Sequence, residues 1–481
     1  MKQKRFLCWD DKLIAENCGV VIQAHKPVKR NVALVCDGEW EGVHNGYGSV
    51  ICVDGVYRLY YRADASRHQM DQTMSRGKGT ICVAESRDGG ITFRKPRIGK
   101  YEYNGSKYNN IIFMKEENID NFSVFYDTNP ACPADERFKA LTSVHKGHGI
   151  AGLVYYASAD GYDFREMYEI PVQGTFDSYN TVHWDEARGC YFLYYRAFHS
   201  KAGADQLNWR GMRPDDIRDI RVATSTDFKA WTEHGRIRFE EGQTDYPLYT
   251  NQITPYRRAT DVMIGFPVRY NDRVAEKRNF HFMPLGDRHE RVTELFGREG
   301  TAVTDCVVMT SEDGFLFNRR DEAFLTPGVE DRNNWWYGNC YMTYGLIETE
   351  AEEEGAPNEI SFYASENYRI KSANFRRFTV RLDGFYSWYA PYRGGELLTA
   401  PITVTSDTLR VNFSTSAMGG MTVSLCDEDG TALAGYQSYT LFGDSVDRPV
   451  EFERELADLV GRQVRLRITL SDAHLYSFVF G

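Results

Sequence analysis

The chain is patterned in short units rather than long ones. Val56-Tyr57-Arg58-Leu59-Tyr60-Tyr61-Arg62, Tyr191-Phe192-Leu193-Tyr194-Tyr195-Arg196 and Asp261-Val262-Met263-Ile264-Gly265-Phe266 crowd aromatic and β-branched residues into runs of strand length, and Asp, Asn and Gly bound them. Such runs predict strands, and the dipeptides between them, Asp54-Gly55 for example, predict tight hairpin turns. Long patterns of helical period are hard to find, so the chain reads as all-β.

One phrase recurs four times: Ala84-Glu85-Ser86-Arg87-Asp88-Gly89-Gly90, Ala157-Ser158-Ala159-Asp160-Gly161, Ala223-Thr224-Ser225-Thr226-Asp227-Phe228 and Met309-Thr310-Ser311-Glu312-Asp313-Gly314, each followed by an aromatic. Recurrence at this spacing marks a repeat architecture. Each phrase reads as a strand end, a turn in which Asp bonds its own backbone, and a short further strand. Two more strand signals precede each copy, which makes four-stranded propeller blades. Blade one starts at Tyr47 to Val53, and blade two is drawn from Asn109 to Phe164. A fifth blade without the phrase is drawn from Gly338 to Leu382. Ring closure is expected from a strand near Lys12 to Ala24, because pairing the two ends removes an exposed edge. Past the Gly-rich aromatic joint at Gly384 to Glu396, short alternating strands such as Leu409 to Phe413 and Val464 to Leu470 predict a β-sandwich. The expected division is residues 1–388 as a five-bladed β-propeller and 389–481 as the sandwich.

The net charge of −11 argues against nucleic acid or an anionic membrane as partner, since either asks for a basic surface. The ten cysteines stand singly, with no paired framework. The amino terminus lacks an apolar stretch of signal-peptide length, and no run approaches a membrane span, so a cytoplasmic location is expected. The expected partner is a small carbohydrate, and association into a homo-oligomer is left open.

In a propeller, one face carries the segments that lead into each inner strand together with the loops that join second and third strands. In blade one these are Asp37 to His44 and Asp64 to Asp71. Later blades contribute Lys107 to Asn110, Phe176 to Asn180, His199, Asp245 and Tyr249 to Asn251. Carboxylates, amides and aromatic rings together suit a sugar: carboxylates bond hydroxyls or exchange protons, amides read the remaining hydroxyls, and rings lie against the apolar sugar face.

Five blades followed directly by a β-sandwich resemble glycoside hydrolase family 32, and the propeller resembles the wider group of families 43, 62 and 68. Ala84 to Phe93 with the following Lys95-Pro96, and Asn109-Asn110-Ile111-Ile112, resemble bacterial relatives of family 32. The resemblance implies a glycosidase with three carboxylates. By position these are Glu41 before the first inner strand as nucleophile or base, with Asp37 as its alternate, Asp127 in blade two, and Asp177 in blade three as general acid. Arg62, His68, Asp71, Asn110, Asn180, Tyr249, Asn251 and Arg269 are the expected sugar-binding residues. The family 32 signature Asn-Asp-Pro-Asn-Gly is absent, so fructan or sucrose specificity is not implied. Whether the two carboxyls stand about 5–5.5 Å apart (retaining) or about 6.5–9.5 Å apart (inverting) is left open. No cofactor is expected. The alternatives are a divalent metal at Glu41, His68 and Asp71 serving an amino-sugar deacetylase, and a propeller that binds glycan without catalysis.

Overall fold

A computed structural model describes residues 3–64, 78–115, 119, 121–146, 150–207, 215–284, 286–370 and 372–481. Five sheets follow one another around an axis as propeller blades. Blade one is Gly46–Val53, Val56–Asp64, Gly79–Ser86 and Ile111–Lys115. Blade two is Ser123–Tyr126, Phe138–Lys146, Ile150–Ser158 and Arg165–Glu169. Blade three is Thr181–Asp185, Cys190–Ser200, Asp216–Ser225 and Thr232–Arg236. Blade four is built on Thr254–Tyr256, Ala259–Gly265, Met309–Ser311 and Leu316–Arg319. Its middle strands run on into the hairpin Val268–Asp272 and Ala302–Cys306, which carries the helix Gly286–Phe296. Blade five is Ile347–Thr349, Glu359–Glu366, Asn374–Arg381 and, from the amino-terminal end, Val28–Val35.

The recurring phrase is a clasp. Ser86, Ser158, Ser225 and Ser311 each donate Oγ–H to the Asp two positions on, at 2.6, 2.9, 3.1 and 3.0 Å. Asp160, Asp227 and Asp313 in turn accept the N–H groups of Tyr162, Lys229 and Phe315 at 2.8, 2.8 and 2.7 Å. The residue after the Asp sits at positive φ: Gly161 (79°), Gly314 (82°) and, where glycine is replaced, Phe228 (66°). A Cβ at Gly161 would lie 2.5 Å from the Tyr60 hydroxyl. Phe228 is tolerated because its ring fills the core against Tyr155 and Tyr191, with centroids at 4.7 and 4.9 Å.

Two expectations are corrected. The ring closes through Val28–Val35 and not through 12–24, because Ala33, Leu34 and Cys36 are the residues that bury against Phe375 and Tyr363. Beyond Lys26-Pro27 toward the amino terminus, Ile14–Cys18 and Val21–Ala24 pair instead with Gly395–Thr399 and Tyr386–Ala390. Likewise Asn109 to Ile112 does not open blade two. After the first clasp only Arg94 pairs with Glu85, and Pro96, which has no N–H, lies just beyond it. The chain returns at Ile111–Lys115 to supply the outer strand of blade one.

The carboxy-terminal part is a ten-stranded sheet around its own core of Trp388, Leu397, Val411, Leu425, Ile468 and Phe480, consistent with a β-sandwich. The strands Leu409–Cys426 and Gln463–Phe480 pair along most of their length, and Arg5–Leu7 adds at one end. Asp383 ties this sheet to the propeller. Its carboxylate accepts from Tyr256 Oη (2.6 Å), Arg258 Nε (2.7 Å) and Ser477 Oγ (2.6 Å), and its carbonyl accepts from Trp9 Nε1 (2.7 Å). Among the described residues no helix is long and apolar enough to cross a membrane.

Candidate functional site

Tyr47 of blade one, Tyr179 ahead of the inner strand of blade three, Tyr249 ahead of that of blade four, and Tyr337 and Tyr341 ahead of that of blade five come together in one place, called the mouth below. There the chain places a cluster of tyrosines. Tyr47 stacks on Tyr179 with centroids 5.5 Å apart, and Tyr341 lies 6.0 Å from Tyr47 and 5.5 Å from Tyr249. Tyr337 meets Tyr249 edge-on at 5.8 Å, and their hydroxyls are 2.7 Å apart. Tyr270 and Tyr368 extend the cluster to either side, at 5.7 Å from Tyr249 and 5.7 Å from Tyr337. Burial first, and then the neighbouring phenols, push the hydroxyls of Tyr47, Tyr337 and Tyr341 well above the ordinary tyrosine range. They are neutral donors at physiological pH.

Guanidinium groups fringe these rings. Arg62 lies over Tyr47 at 4.5 Å and donates to His44 Nε2 at 3.1 Å. Because a guanidinium only donates, that His44 nitrogen is the acceptor. Arg196 lies over Tyr249 at 4.8 Å, and Arg218 lies over Tyr270 at 4.4 Å and Tyr249 at 5.2 Å. Arg298 reaches the Tyr270 ring at 5.3 Å, and Arg369 lies 6.0 Å from Tyr368 and pairs with Glu299.

The residues expected from the sequence divide sharply on this geometry. Arg62 and Tyr249 are in the mouth. Asp177 is there too, with a partly exposed carboxylate 3.5 Å from Arg196 and accepting from Thr175 Oγ1 at 3.2 Å. Glu41 stands in the predicted segment, but its carboxylate is fully enclosed. It accepts from Tyr61 Oη (2.5 Å), Gly38 N (2.6 Å) and Lys95 Nζ (2.6 Å), so it clasps its own loop instead of facing the mouth. Asp37 shares that lysine at 2.6 Å. Asp127 follows the inner strand Ser123–Tyr126, on the hairpin to the second strand, and therefore lies at the other end of the propeller. It is buried there against Tyr191 Oη (2.8 Å) and Asn129 N (2.9 Å). The expectation that three carboxylates share one cavity is thus not met.

Three expected amides are braces. Asn110 accepts from Trp40 Nε1 (2.7 Å) and donates to Val83 O (2.8 Å), while Asn180 donates to Ser178 O (2.9 Å) and accepts from Arg196 N (3.0 Å). Asn251 accepts from Thr181 Oγ1 at 2.6 Å and donates to Tyr179 O at 3.1 Å. Each holds a mouth loop in shape. Arg269 forms a bidentate pair with Asp305 (2.7 and 2.5 Å) on the wall of a cavity of about 410 Å³ shared with Tyr270 and Trp335. His68 and Asp71 lie outside the described residues. Among the described residues no group of three or more His, Cys, Asp or Glu side chains is placed to hold a metal ion.

Next to the mouth, His199 is held between two carboxylates, with Nδ1 3.0 Å from Asp219 and Nε2 2.8 Å from Asp245. These bonds, Asp219's foremost, raise its pKa above the ordinary histidine value against the opposing effect of burial. The set lines a cavity of about 540 Å³ that also takes in Arg218 and Tyr246. The sequence reading brought His199 and Asp245 to the mouth but not Asp219, Arg196 or Arg218. The available signal was Asp216-Ile217-Arg218-Asp219-Ile220-Arg221, charged residues inside a strand whose neighbours are apolar.

No protein-family model matches the sequence, and no curated protein matches it. Among solved structures the chain is similar to a glycoside hydrolase (11% identity, TM-score 0.46, covering 75% of this chain and 93% of that one). It is also similar to an N-acetylgalactosamine deacetylase from F. plautii in complex with blood group B trisaccharide (11%, TM-score 0.45, 74% and 94%). A third similar structure is a glycosyl hydrolase from Bacteroides ovatus (12%, TM-score 0.41, 78% and 96%). These likenesses are of fold.

Proposed function

We propose that the protein is a carbohydrate-active hydrolase that binds a sugar in the tyrosine-lined mouth and cleaves a glycosidic bond there. The observation that carries the reading is the mouth itself. Neutral phenols and ring faces stand together with guanidiniums among the segments that enter the inner strands, a set of groups on which a sugar can lay its C–H face and to which it can bond its hydroxyls. In this reading Asp177 is the mouth carboxylate that meets the substrate, and His199, with a proton favoured by Asp219 and Asp245, supplies acid near neutral pH.

Purified protein assayed against a panel of aryl glycosides, with acetylated amino sugars alongside and each reaction repeated with chelator, tests the proposal. It predicts release of the aryl group that is insensitive to chelator, and a fall of roughly 10²–10⁴ in turnover for Asp177→Asn. Deacetylation abolished by chelator would contradict it, and so would binding of glycan with no turnover of any substrate.

A further inference from the structure

The hairpin Val268–Asp272 and Ala302–Cys306 presents different residues on its two faces. Tyr270 and its register partner Thr304 face the mouth, where Tyr270 stacks on Tyr249 and Thr304 Oγ1 donates to Asn339 O at 2.8 Å. Side chains alternate along a strand, so Arg269 and Asn271, with their register partners Asp305 and Val303, stand on the other face. That face lines the cavity of about 410 Å³, which Tyr246 and Trp335 complete. Its size falls in the range of about 300–1,000 Å³ usual for small-molecule sites. Three segments thus serve mouth and cavity together: Tyr246 to Tyr249, Arg269-Tyr270 and Trp335 to Tyr337 each send one residue to either place. Tyr246 also borders the cavity of about 540 Å³ that holds His199.

We propose that this cavity is a second sugar subsite, which takes a further unit of the glycan whose first unit lies in the mouth. The inference rests on the carbohydrate reading of the mouth and extends its ligand to an oligosaccharide. The Arg269 guanidinium and the Asp305 carboxylate are held to each other by two bonds, at 2.7 and 2.5 Å, and Arg269 Nη1 also donates to Asp321 O at 2.7 Å. Locked in this way, they offer a donor edge and an acceptor edge side by side with their charges cancelled, which suits neighbouring sugar hydroxyls. Trp335 supplies the apolar face. It is partly exposed, and its indole N–H donates to Gly328 O at 3.1 Å, which fixes the ring. Its neighbour Trp336 is buried with His289 stacked on it at 4.0 Å, whereas among the described residues no ring or cation lies over Trp335. An uncovered indole beside a preset polar pair meets both the C–H face and the hydroxyls of a pyranose.

Calorimetric titration of the wild-type protein with a panel of neutral oligosaccharides, each offered at one, two, three and four units, tests this. The member that reaches the cavity should bind about 10- to 100-fold more tightly than the single unit, at one equivalent per chain. Amide exchange on the same complexes should show protection at 269–273 and 303–305 with that member and none there with the single unit, a readout that needs no variant. Trp335→Ala should abolish the gain from length without weakening the single unit, and Trp335→Phe should keep part of it, with thermal melts verifying that both variants fold. Equal affinity at every length overturns the inference and leaves the carbohydrate reading standing. So does a gain from length that Trp335→Ala retains, or independent binding of two single units. If no member of the panel binds, the carbohydrate reading falls and takes this inference with it.

Discussion

Charge is buried at several places in this molecule, and two of them handle it differently. At the junction between propeller and C-terminal sheet, one carboxylate, Asp383, collects Tyr256, Arg258 and Ser477, with Arg5 at 3.5 Å. Its surroundings hold its pKa below the usual carboxylate range, Arg258 foremost, against the opposing effect of burial. In the mouth, Arg196 and Arg218 lie over Tyr249 and Arg298 over Tyr270, with the part-exposed Asp177 carboxylate 3.5 Å from Arg196. An anion ringed by its donors serves the fold. Guanidiniums laid on ring faces are, on the proposed reading, contacts for a sugar.

The contrast is broken most forcefully at the junction. Asp383→Ala leaves the half-buried Arg258 guanidinium and the buried Tyr256 and Ser477 hydroxyls without their acceptor and should lower unfolding free energy by about 3–5 kcal/mol, measured by denaturant titration. A loss below 1 kcal/mol would mean that the junction does not anchor the two parts.

Acid should act at the same point. Because the folded pKa of Asp383 is depressed, its contribution to stability is fully present above the unfolded value of about 3.9 and is lost as pH falls through the folded value. Asp160 and Asp313 behave likewise: backbone N–H donors lower them against the opposing effect of burial. Melting temperatures recorded from pH 6 downward should therefore fall steeply only below about pH 4 in the wild type, and less steeply in Asp383→Asn.

Smaller effects separate clasp from mouth. Ser158→Ala removes a hydroxyl that donates to Asp160 and accepts from Gly161 N at 2.9 Å, and should cost about 1 kcal/mol of stability without altering sugar affinity. Tyr249→Phe deletes the hydroxyl that meets Tyr337. It should weaken sugar binding by about 0.5–1.5 kcal/mol in titration while leaving the melting temperature nearly unchanged. Exchange of these two phenotypes would erase the distinction.

The blades were legible because the clasp is local: Ser, Asp and a positive-φ residue within four positions determine a turn wherever they occur. The closing strand was not. The sequence reading took the stretch near Lys12 to Ala24 as the closing strand, and only the three-dimensional ring shows that Ala33 and Leu34 meet Phe375 while Ile22 meets Trp388. Asp127 was misplaced because Asn109 to Phe113 is the more apolar run and looks like an inner strand, whereas the true one, Ser123–Tyr126, is four residues long. Glu41 was found at its predicted position, but its enclosure depends on Lys95, 54 residues away, which no local pattern reveals. Arg196 and Arg218 escaped notice because a charged residue within a strand ordinarily faces water, and here the facing surface is a ring of tyrosine.

Amide hydrogen exchange, recorded with and without a bound glycan chosen from the binding panel, tests the central claim directly. The account predicts added protection at 176–180, 248–251, 336–341 and 368–369, the segments that bring the tyrosines and arginines together. Protection confined to the opposite end of the propeller, around 126–130 and 185–190, or to the C-terminal sheet, would contradict it.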